Sequence, residues 1–196
     1  MIQNFITSAL IFCTILFFSA KATIINQARS FNTQVQVNTE LEGWIEDVNK
    51  FREALLTGNR DLVKSYFTFP INEPGNDIWF CVNSRFAASL DSKKSTPFKE
   101  LDFDKYYSEL FGVDFKKTFE LIDLSKLSTL STVQSPKIEI IPESKSHMKA
   151  SIDKARKVLT LEVINEAKEF GRFSFKYQFH ILNNATIKFK NVSFIM

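Results

Sequence analysis

The sequence contains little cysteine, histidine or glycine, and each scarcity removes a class of functional site. Two cysteines and two histidines occur in 196 residues, with no CxxC pattern or Cys/His cluster, so no zinc site is predicted. The five glycines are scattered along the chain, which excludes a glycine-rich loop that cradles phosphate. From the sequence we predict no metal, no cofactor and no catalytic residue, and ligand-binding residues stay unassigned.

The first 22 residues have the pattern of an export signal. An apolar run extends from Phe5 to Ala20, and Ala20 and Ala22 are the small residues that a signal peptidase recognises. We therefore expect a signal peptide over residues 1–22, cleavage before Thr23, and an exported protein that is periplasmic or secreted. The alternative is an uncleaved anchor, but the run is shorter than the ~20 apolar residues of a spanning helix. We expect no stable membrane anchor after cleavage.

The charges are nearly balanced in number but unevenly distributed. Lys and Arg number 25 against 22 Asp and Glu, which gives a net charge of +3. Residues 23–136 carry 13 basic and 16 acidic side chains, whereas residues 137–196 carry 11 and 6. A basic face toward a polyanion is one interpretation. We favour a solvated outer sheet face and expect no nucleic-acid partner, because the basic residues are interspersed with acids and no Arg-rich or Gly-Phe pattern accompanies them.

Helical patterns come first along the chain. After a polar lead over residues 23–38, Thr39 and Glu42 form a capping-box pattern ahead of an amphipathic helix. The apolar positions of this helix are Leu41, Trp44, Ile45, Val48, Phe51 and Leu55. Gly58 is expected to end it, and Asn59 to cap a short second helix. The residues predicted to face inward from the second helix are Leu62, Val63 and Tyr66.

The middle of the chain mixes turn, strand and helix patterns. A turn is expected at Pro74-Gly75-Asn76, followed by a buried strand over Ile78–Val82. Cys81 lies in that strand and is interpreted as a small buried apolar side chain. Asp102 and Asp114 are each expected to cap a helix. The apolar positions of these two helices are Phe103, Tyr106, Tyr107, Leu110 and Phe111, then Phe115, Phe119, Ile122 and Leu127.

The last sixty residues have the period-two pattern of an antiparallel meander. Strands are predicted over residues 137–141, 147–152, 158–164 and 172–182, with a final strand from residue 187. In the strand 172–182, one face is expected to be core and the other wet. The predicted core face consists of Phe173, Phe175, Tyr177, Phe179 and Ile181. A shift of phase near Asn191 predicts a bulge in the final strand. We predict one α+β domain over residues 39–196, with N-terminal helices packed on a C-terminal antiparallel sheet that we expect to be curved.

The stretch from Phe51 to Pro70, FREALLTGNRDLVKSYFTFP, is followed by further helix and then a meander. In this order it resembles the opening of nuclear transport factor two-like domains, which have a cystatin-like α+β fold. With residues 78–83 and 98–111 it also resembles uncharacterised exported proteins of Gram-negative bacteria. The resemblance implies a curved sheet wrapped over helices to form a cone. Such domains include isomerases, dehydratases, ligand binders and partner-binding modules, so the fold does not select a function.

Few side chains stand out as candidates for chemistry. His147 and His180 both fall on predicted strands, where a solvated or edge position explains them better than a general base does. The acidic pairs Glu46-Asp47 and Asp102/Asp104 are explained by solvation and by the helix dipole. The aromatic side chains are interpreted as core filling. If the sheet is curved, however, three of them are placed to line a pocket with few polar groups: Trp79, Phe175 and Tyr177.

Two hypotheses for function follow from these observations. The first is a non-catalytic exported binding module that acts on a protein partner, for example as an inhibitor or immunity-type factor. The second is a binding protein or enzyme for a small apolar molecule in a cone-shaped cavity. A cavity of a few hundred cubic ångströms with a carboxylate or a histidine at its floor favours the second, and a filled core with a flat aromatic surface favours the first.

Overall fold

Helices occupy the first part of the described chain and strands the last part, as a computed structural model of the protein shows. The structure describes residues 43–72, 74–82, 96–169 and 171–196, all within one unit, Leu41–Met196. The predicted signal peptide, the polar lead and the capping box at Thr39 and Glu42 lie outside the described residues. The α+β class is confirmed, because helices precede a six-stranded antiparallel sheet that does not close. No helix among the described residues is long and apolar enough to cross a membrane.

The first helix, α1, is described over residues 43–57, and its apolar stripe is buried as the spacing predicts. The most buried positions of the stripe are Trp44, Val48, Phe51 and Leu55. Gly58 follows with a φ of 73°, a left-handed conformation that terminates the helix. The side chain of Asn59 then accepts a hydrogen bond from the backbone N–H of Leu62 and caps α2, Arg60–Ser65. The prediction for Leu62 was wrong, since this side chain is 41% exposed.

The segment Ile78–Val82, predicted as a strand, is the short helix α3. A continuous apolar run has no period, so it fits a buried strand and a buried helical turn equally well. The residues before it decide the outcome. The side chain of Asn76 accepts a hydrogen bond from the N–H of Ile78, and the carbonyl of Asp77 accepts one from the N–H of Cys81. These two bonds start a helical turn after the tight turn at Gly75, whose φ is 78°.

The next two helices, α4 (Glu100–Leu110) and α5 (Val113–Glu120), begin earlier than the sequence suggested. Asp102 is not the N-cap of α4. It is the third helical residue and accepts a hydrogen bond from the backbone N–H of Lys99, which is the N-cap. Asp114 likewise lies in the first turn of α5, whose N-cap is Gly112. Ile122 and Leu127 are buried, but they lie beyond α5, Leu127 in the 3-10 turn Leu124–Ser128.

The C-terminal meander is confirmed, and two short strands precede it. The strands are β1 (Thr132–Gln134), β2 (Ile138–Ile141), β3 (Ser144–Asp153), β4 (Val158–Ala167), β5 (Gly171–Ile181) and β6 (Ile187–Ile195). Their order is β1-β3-β4-β5-β6, and β2 pairs with the same edge of β3 that β1 occupies further along. The sequence did not predict β1, which falls in a Ser/Thr-rich stretch ahead of the period-two pattern.

The sheet has one face toward the helices and one outer face. Tyr177 and Phe179 of β5 are buried on the helix-facing side, as predicted, whereas Phe173 and Phe175 on the same face are only half-buried. The predicted bulge in β6 is confirmed, because Gln178 pairs with Asn191 while Phe179 pairs with Phe189. The extra residue lets β6 keep its apolar side chains on the helix-facing side past the change of phase.

Aromatic rings fill the space between α1, α2 and the sheet. The Phe51 ring lies 5.0 Å from the Tyr66 ring, 6.0 Å from that of Phe111 and 5.2 Å from that of Phe179. All three contacts are edge-on, the arrangement that favours aromatic pairs by about 0.5–1.5 kcal/mol beyond burial. Over this part of the sheet the aromatic side chains therefore form the packed core that the sequence predicted.

Candidate functional site

The helix-facing side of the sheet is not filled along its whole length. Where α5 begins, a pocket of about 300 Å³ lies between that helix and the strands β2 to β5. We call it the α5 pocket. It is lined by residues of α3, of the end of α4, of the start of α5 and the connection before it, and of the strands: Cys81, Glu109, Gly112, Val113, Asp114, Ile140, Ile141, Ser144, Ser146, Asn165, Phe173, Phe175 and Tyr177.

A chain of hydrogen bonds forms the polar floor of the α5 pocket. Ser146 on β3 lies directly opposite Asn165 on β4, and its hydroxyl donates to the amide oxygen of Asn165 at 2.5 Å. The amide nitrogen of Asn165 donates in turn to Oδ2 of Asp114 at 3.3 Å. Ser146 and Asn165 are 1% and 5% exposed, so two buried polar side chains are oriented toward one carboxylate. A buried polar group that lacks a hydrogen-bond partner lowers the stability of a protein. Here the chain of hydrogen bonds ends at the Asp114 carboxylate, which lines the pocket.

Asp114 reaches this floor because α5 begins beside it. Gly112 has no side chain, and a Cβ placed there would lie 2.7 Å from Oδ1 of Asp114. The absence of that carbon lets the carboxylate lie close over the start of α5. A carboxylate in the first turn is also favoured by the helix dipole.

A thiol and a phenol occupy the deepest part of the lining. The hydroxyl of Tyr177 donates to the carbonyl oxygen of Leu110, 2.7 Å away at the C-terminus of α4, and Sγ of Cys81 lies 3.1 Å from the same hydroxyl. Because the phenol has one proton and gives it to Leu110, the thiol of Cys81 is the donor in the second contact. Burial raises the pKa of Cys81 to about 12 and the pKa of Tyr177 well above its usual value. Both groups therefore stay protonated at neutral pH.

Aromatic rings form a wall next to the polar floor, since Phe173 on β5 pairs with Asn165 on β4. Phe173 and Phe175 face the pocket from alternate positions of β5, with ring centroids 6.2 Å apart. Two further half-buried rings extend this wall, since Phe194 of β6 lies 5.2 Å from Phe175 and Phe80 of α3 lies 4.2 Å from Phe194. Of the three aromatic residues that the sequence suggested as pocket lining, Phe175 and Tyr177 line this one. Trp79 packs instead against Phe98, 5.0 Å between ring centroids, and Tyr106, 5.9 Å.

The two histidines lie on strands, as predicted, and both face away from the α5 pocket. His180 is exposed on the outer face, in agreement with a solvated position. His147 is only 6% exposed, so the prediction of a solvated or edge side chain was wrong for it. Burial, with a contribution from Lys137, lowers the pKa of His147. Its Nδ1 atom is buried and has no hydrogen-bond partner within the described part of the chain.

The acidic pairs that the sequence singled out have separate structural roles. Glu46 is exposed and pairs with Lys50 at 2.8 Å, whereas Asp47 accepts a hydrogen bond from the N–H of Ile187 at 2.8 Å. Asp104 pairs with Lys64 at 2.6 Å and so joins α4 to α2. Among the described residues, no group of three or more His, Cys, Asp or Glu side chains is placed to hold a metal ion.

A second, larger hollow of about 460 Å³ lies at the β2–β3 and β4–β5 ends of the sheet. Most of its described lining residues are charged, and two of its glutamates form ion pairs with lysines. Lys168 contacts Glu143 at 2.9 Å, and Glu166 contacts Lys137 at 2.8 Å. Exposed ion pairs of this kind contribute little and are screened by salt. The smaller α5 pocket, with its buried polar floor, has the features of a binding site.

Comparison with known proteins gives no further constraint, since no family model, no curated protein and no solved structure matches this chain. The sequence signals that pointed toward the α5 pocket were the aromatic positions of β5. Ser146, Asn165 and Asp114 were missed, because their convergence depends on the β3–β4 register and on where α5 begins.

Proposed function

We propose that this protein is a non-catalytic binding protein that holds a small molecule in the α5 pocket. The observation that carries this proposal is the buried polar floor, Ser146 to Asn165 to Asp114, beside a half-buried aromatic wall. Ligand sites combine an apolar lining with a few polar groups that fix orientation, in volumes from about 300 Å³ upward. Of the two functions that the sequence left open, the carboxylate at the floor favours the small-molecule binder.

The chemistry of the lining favours binding over catalysis. A general base or nucleophile needs a pKa near the working pH. Burial raises the pKa of the Cys81 thiol to about 12 and the pKa of the Tyr177 phenol well above its usual value, so both groups are held protonated, and both are engaged in hydrogen bonds. Neither histidine is on the pocket side of the sheet. The described lining therefore has no activated group beside its carboxylates.

We further propose that binding takes place after export, in the periplasm or outside the cell. The support is the apolar run and the Ala20-Lys21-Ala22 pattern. The resemblance to nuclear transport factor two-like domains is consistent with a pocket between helices and an open sheet, and it stays a prediction. Intact-mass measurement on exported material checks the location: the expected N-terminus is Thr23, and a chain that keeps Met1 contradicts cleavage.

A rim variant tests the binding function. Ile141 lines the pocket and is 62% exposed, so Ile141→Trp adds an indole at the entrance without disturbing the core. Leu101→Trp is the matched control, because Leu101 on α4 is 79% exposed. Protein-observed NMR of the full chain, titrated with a set of single-ring fragments of positive, zero and negative charge, measures binding through the shifts of the backbone amides.

We expect a subset of the fragments to bind, with the largest shifts at the Ser146 and Asn165 amides. Ile141→Trp is expected to weaken this binding about tenfold or more, since it obstructs the entrance, whereas Leu101→Trp leaves it unchanged. If no fragment shifts Ser146 or Asn165, or if both tryptophan variants bind like the parent chain, the pocket is not a ligand site.

A protein partner is the second candidate, and the open edge of the sheet favours it. No described residue pairs with the outward edge of β1 and β2, and two exposed aliphatic side chains, Leu130 at 51% and Ile141 at 62%, lie beside it. Such an edge is a template for strand addition. Native mass spectrometry of protein isolated from its source, beside Leu130→Lys, separates the candidates. A protein that accompanies the parent chain and is lost from Leu130→Lys favours the edge, and a small molecule retained by both favours the pocket.

A further inference from the structure

We infer that the ligand of the α5 pocket is an organic cation, specifically an amine attached to an apolar or aromatic body. This inference rests on the proposed binding function and adds the chemical class of the ligand. It follows from three properties of the pocket: its charge, the direction of its hydrogen bonds and its aromatic wall.

The described lining carries negative charge without a compensating base. Glu109 and Asp114 are the two ionisable carboxyl groups in it, and no Lys, Arg or His is among the described lining residues. Two other acids near this end of the sheet differ, since Glu143 pairs with a lysine at 2.9 Å and Glu166 with another at 2.8 Å. Glu109 and Asp114 accept hydrogen bonds from Ser108 and Asn165, but neither forms a salt bridge within the described part of the chain. Charges held near a low-dielectric wall without a partner of opposite charge raise the local concentration of the opposite ion.

The hydrogen bonds of the floor all run toward the carboxylate. The Ser146 hydroxyl donates to Asn165, and Asn165 donates to Oδ2 of Asp114. The Tyr177 proton is used by Leu110, and the Cys81 proton points at Tyr177. The protons of Ser146, Tyr177 and Cys81 are therefore engaged, and one of the two N–H groups of Asn165 is used by Asp114. Oδ1 of Asp114 accepts no hydrogen bond from any described residue. The charged group that the floor presents to a ligand is this carboxylate oxygen, an acceptor that is matched by a donor on the ligand. An ammonium group brings up to three donors and a positive charge.

The aromatic wall fits the apolar or aromatic body of such a ligand. The rings of Phe173 and Phe175 are half-buried and line the same pocket as Asp114. An aromatic face attracts a cation within about 6 Å of its centroid and also packs against an apolar body. The backbone amides at the start of α5 act in the other direction, since a helix N-terminus favours an anion. The negative charge of Asp114, which lies in the first turn of α5, offsets that preference.

Three matched probe molecules test the class of ligand: phenethylammonium, 2-phenylethanol and phenylacetate. Titrations of the full chain, followed by NMR shifts at Ser146 and Asn165, give the three dissociation constants. We expect the ammonium probe to bind about tenfold tighter than the alcohol, and phenylacetate to bind more weakly than the alcohol. The preference for the cation should shrink as salt is added, because the attraction is electrostatic.

Charge-neutralising variants locate the preference. Asp114→Asn keeps an oxygen that accepts from Asn165, and Glu109→Gln changes an exposed rim residue whose loss does not affect folding. Each is expected to reduce the ratio of ammonium to alcohol affinity several-fold. Glu120→Gln is the control. Glu120 is exposed at the opposite end of α5 from Asp114, so this substitution removes one negative charge from the same helix as Asp114→Asn does. It should leave the ratio unchanged.

The outcomes distinguish a failure of the inferred ligand class from a failure of the proposed binding function. If the alcohol or the phenylacetate binds as tightly as the cation, and Ile141→Trp abolishes that binding, the pocket is a ligand site but the inferred class is wrong. If Glu120→Gln lowers the ratio as much as Asp114→Asn and Glu109→Gln do, the preference is a property of the whole chain and the inference is also wrong. If none of the three probes binds and no fragment of any charge does, the proposed function itself fails.

Discussion

Asp47 on α1 accepts a hydrogen bond, 2.8 Å long, from the backbone N–H of Ile187, the first residue of the edge strand β6. The same edge is covered further along, where the N–H of Phe189 donates to the carbonyl of Tyr66 and the N–H of Phe194 donates to the carboxylate of Asp77. The helical part of the chain thus supplies acceptors to an edge that otherwise has unpaired donors. This arrangement protects β6 from strand addition.

Removal of the Asp47 carboxylate should therefore lower stability well beyond the usual effect of a surface change. In Asp47→Ala the N–H of Ile187, which is fully buried, loses its acceptor, and we expect a loss of about 1–3 kcal/mol in the free energy of unfolding. Urea denaturation of both proteins measures it. Glu46→Ala is the control, because Glu46 is exposed and pairs only with Lys50, and it should leave the urea midpoint unchanged. Equal midpoints for the two variants would contradict this role for Asp47.

Sequence reasoning identified the meander because period two is a local property. The predicted strands over residues 147–152 and 158–164 are neighbours in the structure, where they form the antiparallel pair β3 and β4. Sequence reasoning did not distinguish Asp47 from Glu46, since both are helical acids in sequence. Their difference depends on a strand 140 residues further along the chain, and no helical spacing contains that contact.

The α5 pocket shows the same limit. Phe175 and Tyr177 were predicted as lining, because strand alternation places them on one face. The predicted strands ended at Ile164 and began at His147, one residue short of Asn165 and of Ser146, so the polar floor was not predicted. Strand ends depend on pairing with neighbours that a single segment does not specify. The helix over Ile78–Val82 was missed for a related reason, because the side chain that starts it precedes the apolar run.

The raised pKa of Cys81 predicts a loss of stability at alkaline pH. An unperturbed thiol has a pKa of about 8.5, and burial raises the pKa of Cys81 to about 12 in the folded chain. Above about pH 8.5 the unfolded chain releases this proton while the folded chain keeps it, so stability falls as the pH rises from about 8.5 to 12. Between pH 8 and pH 10 the parent chain should lose about 2 kcal/mol more than Cys81→Ala does, as the 1.36 kcal/mol per pKa unit implies.

Denaturant melts at the two pH values measure this difference, and alkylation provides an independent check. Cys81 is buried and its proton is engaged with Tyr177, so modification by iodoacetamide should be slow in the folded protein and fast in denaturant. Peptide mass spectrometry assigns the modified residue. Rapid modification of Cys81 in the native state at pH 8 would show that the thiol is neither shielded nor held protonated.

The two halves of β5 should respond differently to truncation of a phenylalanine. Phe179 is fully buried, with its ring 5.2 Å from that of Phe51, and Phe179→Ala is expected to cost about 3–5 kcal/mol. Phe175 borders the α5 pocket and is half-buried, so Phe175→Ala should cost less, about 1–2 kcal/mol, because a wall beside open space loses fewer contacts. It should weaken ligand binding strongly. His180→Ala on the outer face, within about 0.5 kcal/mol of the parent, is the control, and an equal cost for the two phenylalanines would mean that the pocket is closed in solution.

Gly112 offers the most selective test of the α5 pocket, because it is adjacent to Asp114 without belonging to the core. Its φ is −62°, so Gly112→Ala adds no backbone strain, but the new carbon would lie 2.7 Å from Oδ1 of Asp114 and must displace that carboxylate. We expect the free energy of unfolding to change by less than about 1 kcal/mol and the preference for a cationic ligand to fall several-fold. Gly75→Ala is the control, and it should lower the stability without changing the preference for a cationic ligand. Its φ of 78° makes a side chain costly by about 1 kcal/mol, and binding should be unaffected because Gly75 lies in the turn before α3. If Gly112→Ala binds the ammonium probe as the parent chain does, the position of the Asp114 carboxylate does not determine binding.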